Sequence, residues 1–350
     1  MNRRIFISAL LFAVSCAAFA GGSKEQPEKA AAGKETPQPA WITKPDTDYP
    51  DKRYVAAAGT GAKRTDAEAN AIASVGKTLR QSISSNETSS VTASSDAPAL
   101  SSYLSSVQTS TSLNDIAGIE IKENWTAPGG AEYALAVLDR GASGNYYRDR
   151  IDQNASKVME LTALVKTEQG TFKGCSDALQ AYQAAKDNDY YLELLSVINP
   201  TDRELVMLPY TSSASVGVLT EKQFSTVTVM ITVDGDKDGR ISAALASAIA
   251  ATGIKTMGGS SGGADDKMPY ALLCTVSFAP VTMPESSNSF VRYVSKAELL
   301  ESATGKTILS WSKNARVGKL SADEAEQAAV RTLENDISTD FSASFKAILK

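Results

Sequence analysis

The run Asp234-Gly235-Asp236-Lys237-Asp238-Gly239-Arg240-Ile241-Ser242 copies the opening of a calcium-binding EF-hand loop. Asp234, Asp236 and Asp238 hold the first, third and fifth positions, and Gly239 the sixth, where such a loop turns. Clustered carboxylate oxygens are what a hard cation needs. Two features oppose the reading. Leu245 stands where a bidentate glutamate closes the shell, and the residues before Asp234 read as a strand, not a helix. The same residues also read as a strand-to-helix turn, with Asp238 near a helix N-terminus, where negative charge is favourable.

Three glycine-rich runs raise the question of phosphate binding. Gly305-Lys306-Thr307 resembles the end of a phosphate loop, but Leu300 occupies the place of its first glycine, so a β-turn is expected. Gly258-Gly259-Ser260-Ser261-Gly262-Gly263 lacks fingerprint spacing, and the stretch Gly258 to Asp266 reads as a loop. Gly59-Thr60-Gly61 follows a strand and precedes a helix, a context suited to anions; without a third glycine it reads as a turn. Cys175 and Cys274 either bridge, which an exported chain permits, or stay as buried thiols. Alternation in Tyr270 to Phe278 puts Cys274 on one face with Tyr270, Leu272, Val276 and Phe278.

The composition removes whole classes of chemistry. The chain has 350 residues and no histidine, which excludes Ser-His-Asp and Cys-His catalysis and histidine-ligated metals. Carboxylates could still hydrolyse glycosides, but no pair stands out. The expectation is a protein that is not an enzyme and carries no cofactor. A formal charge of -5 without clustered Lys and Arg argues against nucleic acid.

The N-terminus supplies an address. Arg3 and Arg4 precede an apolar run from Ile5 to Val14, too short for a permanent membrane span. Ala13-Val14-Ser15-Cys16 resembles a bacterial lipobox, with alanine where leucine is usual, and makes Cys16 the expected lipid (palmitate-type acyl) attachment site. Ala18-Phe19-Ala20 offers a competing signal-peptidase site that would leave a soluble periplasmic protein starting at Gly21. Cleavage before Cys16 removes Arg3 and Arg4 and shifts the net charge from -5 to -7.

The elements that would position these residues fall into five segments: a signal peptide at 1–20, a disordered tether at 21–39, an α+β domain at 40–142, a helical hairpin at 143–200 and a C-terminal α+β domain at 201–350. The tether contains no large apolar residue and cannot offset its ordering entropy. In the first domain, strands are expected at Tyr54 to Gly59, Ile119 to Trp125 and Glu132 to Leu138, the last two a hairpin through Pro128-Gly129-Gly130. Ala71, Ile72, Val75, Leu79 and Ile83 recur at helical spacing. Between them, Ser84 to Ser112 suits an exposed strand and a weak helix around Leu100 to Val107. Helices from about Gly144 to Thr167 and up to Asn199-Pro200 form the hairpin. The C-terminal domain reads as a strand at Val227 to Val233, a helix from Ile241 to Ile249, and strands at Tyr270 to Thr282, Phe290 to Leu300 and Thr307 to Ala315. One final helix runs from Ala322 to Ile348. The fold class is α+β: two small modules, each a mainly antiparallel sheet with long helices on one face.

Pro39-Ala40-Trp41, Tyr54-Val55-Ala56-Ala57-Ala58-Gly59-Thr60-Gly61 and Asp66-Ala67-Glu68-Ala69-Asn70-Ala71 resemble the opening of the LPP-twenty lipoprotein family, with FlgT/FlgP-like flagellar-envelope proteins as relatives. The match is specific from Trp41 to Ile83 and weaker through Arg140, and it departs in the Ser/Thr insertion. The C-terminal module is TolB-N-like in outline. The resemblance implies an outer-membrane lipoprotein facing the periplasm or the surface, with a structural or assembly role. Its partners would be the membrane, through the lipid, and envelope or flagellar proteins, with self-association a further expectation. It implies no catalytic residues. A periplasmic module binding a peptide, glycan or small molecule, with Gly258 to Asp266 at the site mouth, is the alternative.

Overall fold

A computed structural model describes residues 37–86, 116–259, 268–284 and 286–350. Cys16, the signal peptide, most of the tether, the region expected to hold a weak helix at Leu100 to Val107, and residues 260–267 of the glycine-rich loop lie outside the described residues. Pro39–Lys350 forms one folded unit built on two sheets.

The first sheet has the order β1-β3-β2, with β1 at Tyr54–Gly61, β2 at Ile119–Thr126 and β3 at Glu132–Asp139, all antiparallel. Strand β3 is central because its apolar run serves both faces. Ala134, Ala136 and Leu138 pack on Ala67, Ala71, Val75 and Leu79 of helix α1, Arg64–Asn86. Leu135 and Val137 point the other way, onto Trp41. Helix α1 approaches β1 so closely that a Cβ on Gly59 would stand 2.1 Å from the Ala71 amide nitrogen, and one on Gly61 2.6 Å from that of Ala67. The G-x-G motif is therefore strand backbone pressed against a helix.

Helix α2, Arg140–Thr167, begins four residues before the expected Gly144. The reason is a cap: the Asp139 carboxylate accepts from the amides of Gly141 and Ala142 at 2.9 and 3.0 Å. Helix α3, Phe172–Ile198, returns antiparallel and is capped by Thr171. Its first half lies in the core of the second sheet through Phe172, Cys175 and Leu179. Its last turns lie in the core of the first through Leu194, Leu195 and Ile198. Pro200 does end α3, but it also opens a short helix α4, Pro200–Leu205, at a position where a missing N–H does no harm. Helix α5, Ser213–Thr226, was not legible as a separate element; Ser212 and Ser215 give it a capping box.

The second sheet runs β5-β4-β6-β7-β8. These are Thr228–Asp234 (β4), Lys255–Gly258 (β5), Tyr270–Val281 (β6), Ser289–Glu301 (β7) and Lys306–Lys319 (β8). The expectation of a mainly antiparallel sheet holds for β6, β7 and β8 only, since β4 pairs in parallel with both β5 and β6. Helix α6, Arg240–Ala250, is a crossover between β4 and β5 and returns the chain in the same direction. Helices α6, α7 (Ala322–Asp336) and α8 (Ser342–Ala347) cover one face. The last two are joined by a π turn at Ile337–Phe341 where one continuous α-helix was expected. That wider turn keeps Ile337, Phe341 and Phe345 all in the core. Beside it, Lys313 of β8 pairs with Asp336 at 3.3 Å and with Asp340, and the fully buried Tyr293 donates to Asp336.

Two outcomes test this packing. Gly59→Ala should destabilise the fold by about 3 kcal/mol in urea titrations. Gly129→Ala, whose Cβ would meet nothing within 4 Å, should leave the midpoint unchanged. The Lys313 ammonium holds the Asp340 carboxyl below its ordinary value, first through their hydrogen bond. A carboxyl depressed on folding adds stability above its unfolded pKa and loses it as pH falls through the folded one. Asp340→Asn should therefore flatten the acid limb of stability between about pH 5 and about pH 2 while changing stability least at the acid end.

Candidate functional site

The aspartate-rich loop is a helix cap. Asp236 accepts from the Ser242 amide at 2.8 Å, and Gly239 adopts a left-handed conformation at φ 70° to let α6 begin. Lys237 and Arg240 tie the loop to Glu326 and Glu334 of α7. Asp234 and Asp238 are exposed, and among the described residues no group of three acidic, cysteine or histidine side chains could hold a metal. Of the three aspartates weighed for calcium, Asp236 spends one carboxylate oxygen on the Ser242 amide, as the strand-to-helix turn reading of the same residues expects. Gly305-Lys306-Thr307 is a turn between β7 and β8, with Gly305 at φ 67°.

Cys175 and Cys274 are both free and buried within the second core, and no bridge joins them. Burial pushes the Cys175 thiol up to about 12 and raises that of Cys274 as well. A protonated thiol is a poor nucleophile. In the native Cys16→Ala chain, Ellman's reagent should therefore react with neither thiol until denaturant exposes both; prompt labelling would contradict the packing described.

A partly enclosed concavity lies elsewhere, on the face of the first sheet opposite α1. It measures about 520 Å³. Its walls come from the segment before β1, from β2 and from the first turns of α2. Tyr49 and Tyr54 meet edge to face at 5.3 Å, and Arg53 lies 5.2 Å over the Tyr54 ring. Across the cleft, Tyr146 is 41% exposed and packs edge to face on buried Tyr147, with Arg150 5.5 Å over its ring. Alternation along β2 turns Glu120 and Lys122 toward this side, where they pair and raise the Lys122 pKa. Asp139 and Ser143 complete the lining from the start of α2.

The floor is fixed by the backbone. Gly118 takes φ +90°, and a Cβ there would stand 2.6 Å from the Ser143 hydroxyl. The Ala117 amide donates to the Tyr147 hydroxyl at 3.0 Å. Tyr147 is held at about 12 by burial, so that phenol stays neutral. Charges of both signs are paired in place. The arrangement suits stacking and hydrogen bonding.

Next to the cleft, a shallower depression of about 800 Å³ surrounds Arg140. Its guanidinium donates to the carbonyls of Asp51, Tyr54, Val197 and Ile198 at 2.7 to 3.4 Å. Desolvation lowers its pKa, yet an arginine stays charged. Neither concavity was singled out by sequence. The one available signal was the alternation that sets Glu120 and Lys122 on one face of β2; nothing local joins them to Tyr49 or Tyr146.

No helix among the described residues is long and apolar enough to cross a membrane. No family model matches the chain, and no curated protein matches it in sequence. Among solved structures, it is similar to the secreted protein HP1454 from Helicobacter pylori at 14% identity and a TM-score of 0.45, over 83% of this chain and 98% of that one. A minor lipoprotein from Acinetobacter baumannii is similar at 12% identity and a TM-score of 0.25, over 34% of this chain and 92% of that one. Lipoprotein GNA1162 from Neisseria meningitidis is similar at 17% identity and a TM-score of 0.22, over 31% of this chain and 98% of that one. Likeness at this level transfers neither a function nor a ligand to this chain.

Proposed function

We propose that this protein is a non-enzymatic cell-envelope lipoprotein, held at the outer membrane through Cys16, that serves as a structural or assembly module for protein partners. The observation that carries the assembly reading is β8, a 14-residue strand at the edge of the second sheet that, among the described residues, pairs with β7 alone. An open edge offers a row of backbone donors and acceptors that an extended partner segment can complete. Strand β8 carries Lys306, Lys313, Arg316 and Lys319 and no acidic residue. Two copies paired edge to edge would set like charges together, which disfavours self-pairing and favours an acidic partner strand. The export signal, Cys16 and the polar tether at 21–39 support the address. The LPP-twenty-like opening around Trp41 and Gly59-Thr60-Gly61 supports the same family of roles, the flagellar version among them.

Two measurements test the two halves. Intact mass spectrometry of the protein from its native membrane should show a chain beginning at Cys16 with acyl mass; a chain beginning at Gly21 would sink the anchor. A photo-crosslinker at Asn314 on β8 should capture one discrete envelope protein. That capture should be lost when Arg316→Glu reverses the edge charge and retained when the crosslinking chain carries Lys157→Glu on α2. Capture indifferent to Arg316→Glu would reject the edge as the recognition element.

A further inference from the structure

We propose that the tyrosine-walled cleft on the first sheet is a binding site for a neutral saccharide. This goes beyond the assembly reading and does not depend on it, since the cleft and β8 belong to different sheets. At about 520 Å³ the cleft falls within the size of ordinary small-ligand sites. Tyr49, Tyr54 and Tyr146 reach it from two separate parts of the chain, which is how a fold gathers aromatic surface that no single element could present. Arg53 and Arg150 each engage one face of a ring, holding Tyr54 and Tyr146 in place before any ligand arrives. The Gly118–Ser143 contact and the Ala117–Tyr147 hydrogen bond fix the floor. A preformed site loses less entropy on binding.

The charges in the wall select the ligand class. The Lys122 ammonium opposes a cation, although three tyrosines would otherwise suit one. The Glu120 and Asp139 carboxylates oppose an anion. Each charge already has a partner, Glu120 with Lys122 and Asp139 with Arg53 at 3.6 Å and two helix amides. A ligand that both donates and accepts hydrogen bonds, carries no charge and has an apolar face for stacking satisfies all of them. A pyranose meets these conditions, with hydroxyls for Glu120, Lys122 and Ser143 and a C–H face for tyrosine.

The test is calorimetric titration of the mature chain in detergent with maltotriose and with triacetylchitotriose, set against sialyllactose as an anionic probe and choline as a cationic one. At least one neutral trisaccharide should bind. Tyr54→Ala should weaken it by about tenfold, the effect of losing one stacked contact. Tyr54→Phe should keep affinity within about twofold, since the ring remains. Glu120→Gln, at an exposed position on β2 that leaves folding intact, should weaken binding by about fivefold through a lost charge-assisted bond. Failure of both neutral sugars to bind at about 10 mM, tenfold above a Kd of about 1 mM, would overturn the proposal. So would binding of the charged probes in their place, or affinity unchanged in both Tyr54→Ala and Glu120→Gln. The β8 crosslinking result would stand in either case.

Discussion

Helix α3 has to satisfy two cores at once, and the rest of the molecule is arranged around that demand. Its 27 residues span about 40 Å at the rise of an α-helix. Phe172, Cys175 and Leu179 are buried at one end among the strands of the second sheet, and Leu194, Leu195 and Ile198 at the other among those of the first. Between them, Ala181, Ala184 and Ala185 keep the surface flat enough for α2 and α5 to lie against it. A helix buried along so much of its length has no single apolar stripe, which is why its amphipathic signal is faint. Arg140 secures the far end by taking the carbonyls of Val197 and Ile198, where a helix otherwise leaves acceptors unsatisfied. The same guanidinium holds the chain entering β1 through Asp51 and Tyr54. One cation thus ties the first sheet to the end of the beam that runs into the second.

Close approach is the second theme. Gly59 and Gly61 let α1 rest on β1 with backbone against backbone, and the alanines of both elements continue that contact. Tight packing on one face leaves the opposite face of the sheet to aromatic groups: Trp41, Tyr54, Trp125 and Tyr133 cluster there. The cleft sits at the edge of this aromatic layer, where β2 and the start of α2 diverge. Its tyrosines are continuous with the packing of the sheet.

The second sheet divides its labour differently. Its inner face is closed by α6, α7, the π turn and α8, while among the described residues β8 pairs only with β7. Lys313 lies on the inner face of that edge strand and is drawn to Asp336 and Asp340 at the π turn. An inward charge on an edge strand is a familiar defence against indiscriminate pairing. On the assembly reading proposed above, that combination would suit a partner of opposite charge better than a copy of itself.

Sequence by itself proposed an address and marked most of the elements that the structure describes. The strands of the first sheet, β4, β6, β7 and β8 of the second, and the long helices follow from period, because side-chain alternation and helical spacing are local properties of a chain; the four-residue β5, Lys255–Gly258, was too short to show one. The sequence also removed histidine chemistry outright. Start points were less legible: α2 begins at Arg140 because the Asp139 side chain turns back to cap it, a contact invisible to periodicity. Helix α5 lacked a strong apolar stripe and emerged only through its packing on α3. What tertiary structure alone decided was direction and convergence. The parallel pairing of β4 depends on where α6 returns the chain. The fate of Asp236 depends on the amide that reached it first. The cleft exists because Tyr49, Glu120 and Tyr146, distant in sequence, are brought to one face of a sheet whose order is β1-β3-β2. Period and propensity are set within a few residues of chain, whereas a concave site is a property of long-range packing, and no local pattern encodes it.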